Sequence, residues 1–428
     1  METSIAELPV DVLLSHLLVS VDAASVCALG SVSQRLRAPC ADDLVWQHQH
    51  QARWGATAPT VRIAAGTTWR DEYRRRHEKD RAAVVYVRGL CDETQREERW
   101  RSLMSLGADV MDRVALLCMD PDLPAEDRKE AKLALVGLNQ AATVESWAVL
   151  MSRPHISIEE GALLLVRLYQ DDQALVQQHS PPCRGRGAED MVLEEFESLA
   201  ERLRVRLGGD DGVERYDAVA VVRELSTLMF KEEGYGGNQD DYYNYCNSLL
   251  DHVLTMHKGI PISLSVLFAA VCARVGVHLD MIGLPGHFLL ATPSMATPAS
   301  QRVFVDTFHG GELLNLSHCE RIVRSYGYAW SEEMAQPVQP NEVLVRMLRN
   351  LLNCHKQTGD HARARLIEAI LTCGSSGKAP RLPYPSAPTE ADAPADPFDG
   401  QLRNLSVAQQ QQLLQMLMQQ MQLQQQAP

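Results

Sequence analysis

"HKGIPISLSVLFAAVCARVGVHLDMIGLPGHFLLATP", residues 257–293, decides the fold. Pro261 suits the first turn of a helix, where its missing N–H is not needed. Ile262, Leu264 and the run Val266 to Val271 are apolar on nearly every side, and Arg274 is the only charge before Gly276. A helix that is apolar all round must be buried, so this one is central. "VHLDMIG" (277–283) and "GHFLLAT" (286–292) then read as strands around the Pro285-Gly286 turn, and "RVFVDTF" (302–308) as a third strand ending in Asp306. This predicts an α+β, mostly helical fold with a buried helix against a short antiparallel sheet. It also predicts His287 and Asp306 on neighbouring strands about 4.8 Å apart, facing the start of the helix.

That order of helix, strand with histidine and strand with acid resembles the papain-like and transglutaminase-like layout, in which a cysteine at the helix N-terminus is held as a thiolate by the dipole and a histidine. Several separated pieces are similar to the bacterial SirB-type transglutaminase-like family: Gly236-Gly237-Asn238, Asn247-Ser248, Gly259 to Leu264, Pro285-Gly286-His287-Phe288, and Asp306 with Gly310-Gly311. Together with the helices after 340 the resemblance spans about 155–375. The expected nucleophile position, 261–263, carries proline, isoleucine and serine, so the cysteine is missing. Cys272 lies nine residues beyond Ser263, on the opposite side of a helix at about 100° per residue. Cys246 reaches the helix start only if its loop folds back. The first-turn Ser263 hydroxyl can face His287, but its ordinary role is to satisfy free backbone N–H groups.

The reading is a cleft, bordered by Gly236, Gly237, Asn238, Asn247, Pro261 and Gly286, that binds rather than cuts. The alternative is a peptidase or acyl transferase with His287 as base, Asp306 as its orienting group and Ser263 as an unusual nucleophile. Tyr235, Tyr242, Tyr243 and Tyr245 either line a peptide groove or pack their loop onto the domain.

Upstream, short helices occupy residues 1–55. Leu8-Pro9, the helix after it, "SVSQRLR" (31–37) and "DDLVW" (42–46) resemble an F-box. The resemblance implies a three-helix unit that docks on the Skp-type adaptor of a cullin ubiquitin ligase. So small a unit has a thin core, and Leu8, Pro9, Leu13, Leu17, Val32 and Leu36 are expected to supply the adaptor-binding surface. An F-box before a SirB-type domain implies a substrate receptor that holds a protein target; the residues after 375 do not resemble the hemimethylated-DNA-binding-like domain usual at the end of such proteins.

Residues 56–154 read as a helical linker region. Within it "TTWRDEYRRRHEKD" (67–80) looks like a solvated connector, and Pro124 with Glu126 and Asp127 looks like a helix start. "PNEVLVRMLRNLLNCHKQTGDHARARLIEAILTC" reads as an antiparallel helix pair turning at "TGD", similar to one tetratricopeptide-like unit. Residues 376–404 are proline-rich and read as a disordered linker. The glutamine-rich 405–428 suggests self-association through a short helix or coiled coil.

The net charge of -14 disfavours nucleic acid and anionic membranes as partners. The chain shows neither a signal-peptide start nor a long uncharged apolar run, which implies a soluble protein of the cytoplasm or nucleus. The ten cysteines are scattered, with neither a CxxC pair nor a Cys/His cluster at zinc spacing, so no metal or cofactor is expected.

Overall fold

The computed structural model describes residues 8–54, 66–179, 187–208, 217–293 and 302–376, with Leu382 and Tyr384. The proline-rich linker and glutamine-rich tail lie outside the described residues. The protein is a mostly helical α+β chain. Its contacts divide it into two units: 1–141 with 171–185, and 142–170 with 186 onward. The division falls inside the helix Ala125–Met151, so it departs from the expected boundary at 154/155, and 171–185 returns to the first unit. That helix is apolar and long enough to cross a membrane, but half of its apolar stretch is buried in the protein, as in a core helix.

In the first unit, helices Val10–Ser20 and Ala23–Val32 and Asp43–Trp54 enclose Leu13, Leu18, Val26, Leu36, Val45 and Trp46. Asp22 caps the second helix by accepting from Ser25 N at 2.7 Å. Gln49 ties the third helix to the first through the carbonyls of Leu18 and Val21. The assigned adaptor surface is therefore corrected in part. Leu13 and Leu36 are core residues, 0% and 3% exposed, whereas Pro9 is exposed and Val32 is 78% exposed. Val10 and Leu44 are exposed on the same unit.

The helix Trp69–Arg88 is not the solvated connector its charges suggest. Trp69 and Tyr73 pack on the three-helix core, with Tyr73 ring to ring against Trp46 at 5.2 Å. Glu72, Arg76 and Asp80 are buried, paired with one another's neighbours: Glu72 with Arg75, Arg76 with Asp109, Asp80 with Arg53. A buried charge survives only when paired, and here each partner lies on a nearby helical turn or an adjacent element.

The second unit is built around Pro261–Arg274, whose residues from Pro261 to Phe268 are all buried. Helices Ile158–Leu168, Ala188–Arg206, Ala218–Ser226 and Pro340–Thr358 contribute to the same core. Arg274 at its last turn makes a bidentate pair with Glu159 at 2.8 and 2.9 Å. Two short strands pair in parallel, β1 (Gly236–Gly237) with β2 (Lys258–Gly259). An antiparallel meander follows: β3 (Asp280–Ile282), β4 (Leu289–Ala291), β5 (Phe304–Asp306) and β6 (Glu312–Leu314). The three expected strands are present and β6 is an addition. His287, expected on a strand, sits two residues before β4. The pair Pro340–Thr358 and His361–Ser376 turns at Gly359 in the left-handed region, as read from "TGD".

Register gives the sheet two faces. Met281, Leu290 and Val305 align across three strands and join the core of the central helix. Ile282 and Leu289, and then Ala291, Phe304 and Leu314, face a second core with Cys319 and Val323 of helix Leu316–Ser325.

Candidate functional site

His287 is delivered by the turn Leu284-Pro285-Gly286-His287, closed by His287 N donating to Leu284 O at 3.2 Å. Proline second and a glycine at φ +74° third make it a type II turn. A Cβ on Gly286 would lie 2.7 Å from the Tyr326 ring, so the position excludes any side chain for two reasons. Arg346 clamps the turn from below, donating to the carbonyls of Leu284 (3.1 Å) and His287 (2.9 Å) while lying 5.4 Å over the Phe288 ring.

Asp306 ends β5 and is 3% exposed; His287 is 5% exposed. Asp306 Oδ2 accepts from His287 Nε2 at 2.8 Å and from His309 Nδ1 at 2.8 Å. Its Oδ1 accepts the backbone N–H groups of Phe308 and His309, each at 3.2 Å. Burial pushes the carboxyl up, but the hydrogen bonds and charge from His287 and then His309 outweigh it and hold the group below its ordinary 3.8. The sequence reading missed His309. Its signal was the spacing Asp-x-x-His before Gly310-Gly311; both glycines take positive φ and turn the chain back so that Gly311 N reaches Asp306 O at 2.8 Å.

These groups open on a cleft of about 450 Å³, within the range of small-ligand or peptide-side-chain sites. Glu312 and Leu314 of β6 line it, with His318, Arg321 and Ile322 of the helix Leu316–Ser325 and then Tyr326.

The cleft is not at the start of the central helix, which corrects the expectation. Side chains alternate along a strand, and β5 shows which way. Val305 packs into the central-helix core, and Thr307 Oγ1 meets Ser265 Oγ at 3.0 Å and donates to Pro261 O at 3.3 Å. Phe304 belongs to the opposite core, and Asp306 follows it in phase. Pro261, Ile262 and Ser263 do not line the cleft.

Ser263 is fully buried and committed. Its Oγ donates to Asn247 O at 2.5 Å and accepts from Ile260 N at 3.1 Å. Asn247 in turn donates to the carbonyls of Asp241 and Tyr242 and accepts from Asn238 Nδ2 at 2.9 Å. Asn238, Asn247 and Ser263 thus pin the loop 236–249 to the helix start. Of the six residues assigned to the cleft, Gly286 adjoins it and Gly237 lies behind it, donating its N–H to Phe308 O at 3.1 Å. Gly236, Asn238, Asn247 and Pro261 belong to the frame. Tyr235 is buried, Tyr245 half-buried, and Tyr242 and Tyr243 exposed; Tyr242 meets Phe308 edge to face at 6.0 Å.

Among the described residues no thiol lines the cleft. Cys272 is fully buried and its thiol is pushed far up by that burial. Burial also raises Cys246. Burial, with the Asp306 charge acting in the same direction, pushes Cys319 up to about 12. None is an activated nucleophile.

The transglutaminase-like superfamily profile matches residues 190–349, which hold the central helix, the whole sheet and the cleft. Residues 190–349 carry a transglutaminase-like domain. Over a longer span the chain is similar to F-box only protein 21 of Mus musculus, 25% identical over 370 residues, 79% of this chain and 57% of that protein. The Homo sapiens protein of the same name is 24% identical over 375 residues, 79% and 56% of the two chains. A UPF0162 protein of Xylella fastidiosa (strain 9a5c) is 35% identical over 155 residues, 34% of this chain and 53% of its own. The chain therefore spans little more than half the length of these relatives. No solved structure matches it. In the transglutaminase-like domain the histidine and aspartate are present, without a cysteine at the helix start.

Proposed function

We propose that this protein is a substrate-receptor subunit of a Skp/cullin/F-box-type ubiquitin ligase, working in the cytoplasm, the nucleus or both. Residues 5–54 would hold the Skp-type adaptor, and the transglutaminase-like domain would hold a protein target in the His287 cleft. The observation that carries the reading is the small three-helix unit with Pro9, Val10, Val32 and Leu44 exposed on it. Four exposed apolar side chains on so small a unit favour a partner surface. The similarity to the F-box only protein 21 relatives supports the same assignment. Co-purification tests it: the full chain recovers a Skp-type adaptor and cullin, and Leu8→Ala with Pro9→Ala and Val32→Asp loses them. Unchanged recovery would refute the F-box assignment.

The alternative, a peptidase or acyl transferase, has in its favour the His287–Asp306 hydrogen bond at 2.8 Å. It needs a nucleophile within hydrogen-bond reach of the base, and Ser263 is held by Asn247 O instead. An acyl or fluorophosphonate probe that labelled the folded protein and failed on Ser263→Ala would restore it.

A further inference from the structure

The geometry points to a divalent transition-metal site formed by His287, Asp306 and His309, open to the cleft. This inference is independent of the receptor reading. His287 Nε2, Asp306 Oδ2 and His309 Nδ1 all lie within 4.8 Å of one another, with the carboxylate oxygen 2.8 Å from each ring nitrogen. An ion with bonds of about 2.0–2.2 Å spans donors roughly 3–4 Å apart, so the three need to move by less than about an ångström to share one. Two imidazoles and one carboxylate suit zinc, iron(II) or cobalt(II) and leave coordination positions open. Two nitrogen donors disfavour calcium and magnesium, which prefer oxygen.

The frame is already rigid. Asp306 Oδ1 is held by the Phe308 and His309 backbone, and the His287 carbonyl by Arg346. His287 and Asp306 are buried, so only the cleft side is free, and there Glu312 and His318 stand within the same 450 Å³ space. His318 Nδ1 is engaged with Asn315 Oδ1 at 2.6 Å, which orients its ring as an outer partner of a metal site is oriented. On binding, each imidazole moves its proton from the nitrogen facing Asp306 to its outer nitrogen, and the ion takes the place of the two N–H···O contacts.

The test uses the full chain, freed of metal with a chelator. Calorimetric titration with zinc is expected to show one saturable equivalent. Cobalt(II) is expected to give visible d–d bands without thiolate charge transfer. His309→Ala, at a side chain 52% exposed, should weaken binding by about 100-fold, and His309→Asp should recover part of it. Absence of saturable binding, binding undiminished in His309→Ala, or a thiolate charge-transfer band at the first equivalent would each overturn the site.

Discussion

The two faces of the four-stranded sheet carry opposite chemistry. Toward the central helix lie Met281, Leu290, Val305 and Thr307, with the hydroxyls of Ser265 and Thr307 bridging helix and strand. Toward helix Leu316–Ser325 the sheet begins as apolar, with Leu289 and Phe304, and ends in Asp306 and Glu312 at an open cleft. The transglutaminase-like layout would put its histidine and acid on the first face, against a nucleophile. Here that face is closed by packing and the titratable groups sit on the second. The transglutaminase-like frame is thus kept while its titratable groups lie on the face of the open cleft.

The largest effect should come from emptying the closed face. Phe268→Ala removes a ring that is 0% exposed and should cost about 4 kcal/mol, measured by denaturant unfolding. Asp306→Ala should cost about 3 kcal/mol, because two imidazoles and two backbone N–H groups lose a charged acceptor. It should also flatten the acid limb of the stability profile. The folded carboxyl lies below its ordinary 3.8, so its contribution is complete above that value and disappears as pH falls through the lower folded one. A variant that kept the wild-type acid limb would show that another carboxylate governs it.

Gly286→Ala should cost about 2 kcal/mol through the left-handed backbone and the Tyr326 ring, and should displace His287 enough to narrow the cleft in a crystal structure. Smallest is Ser263→Ala, about 1 kcal/mol, since the Asn247 carbonyl and the Ile260 N–H lose a hydroxyl partner. If that variant instead abolished a measurable activity without loss of stability, the contrast between the faces would collapse.

The central helix was legible because Ile262, Leu264 and the run Val266 to Val271 leave no charged side before Arg274. The pairing of His287 with Asp306 was legible too, because a type II turn and a strand end are short-range signals. Which face they occupy was not. In "VFVD" every residue before Asp306 is apolar, and a strand buried on both sides has no polar alternation to show whether Phe304 or Val305 meets the helix. The helix 69–88 misled for the converse reason: its buried Glu72, Arg76 and Asp80 are charged like a solvated face, and their partners Asp109 and Arg53 are distant in sequence. His309 escaped notice because its position depends on two successive glycines at positive φ, a property of the folded turn.

The most direct measurement places the missing thiol where the layout calls for it. In Ser263→Cys, the alkylation rate of the new cysteine is followed peptide by peptide by mass spectrometry at about pH 6, where only a thiolate stabilised by its surroundings reacts quickly. The account predicts a protected, slow thiol, because position 263 is buried against Asn247 and does not line the His287 cleft. Rapid alkylation of folded protein at that pH, lost when His287 is replaced by alanine, would contradict it and return the chemistry to the helix start.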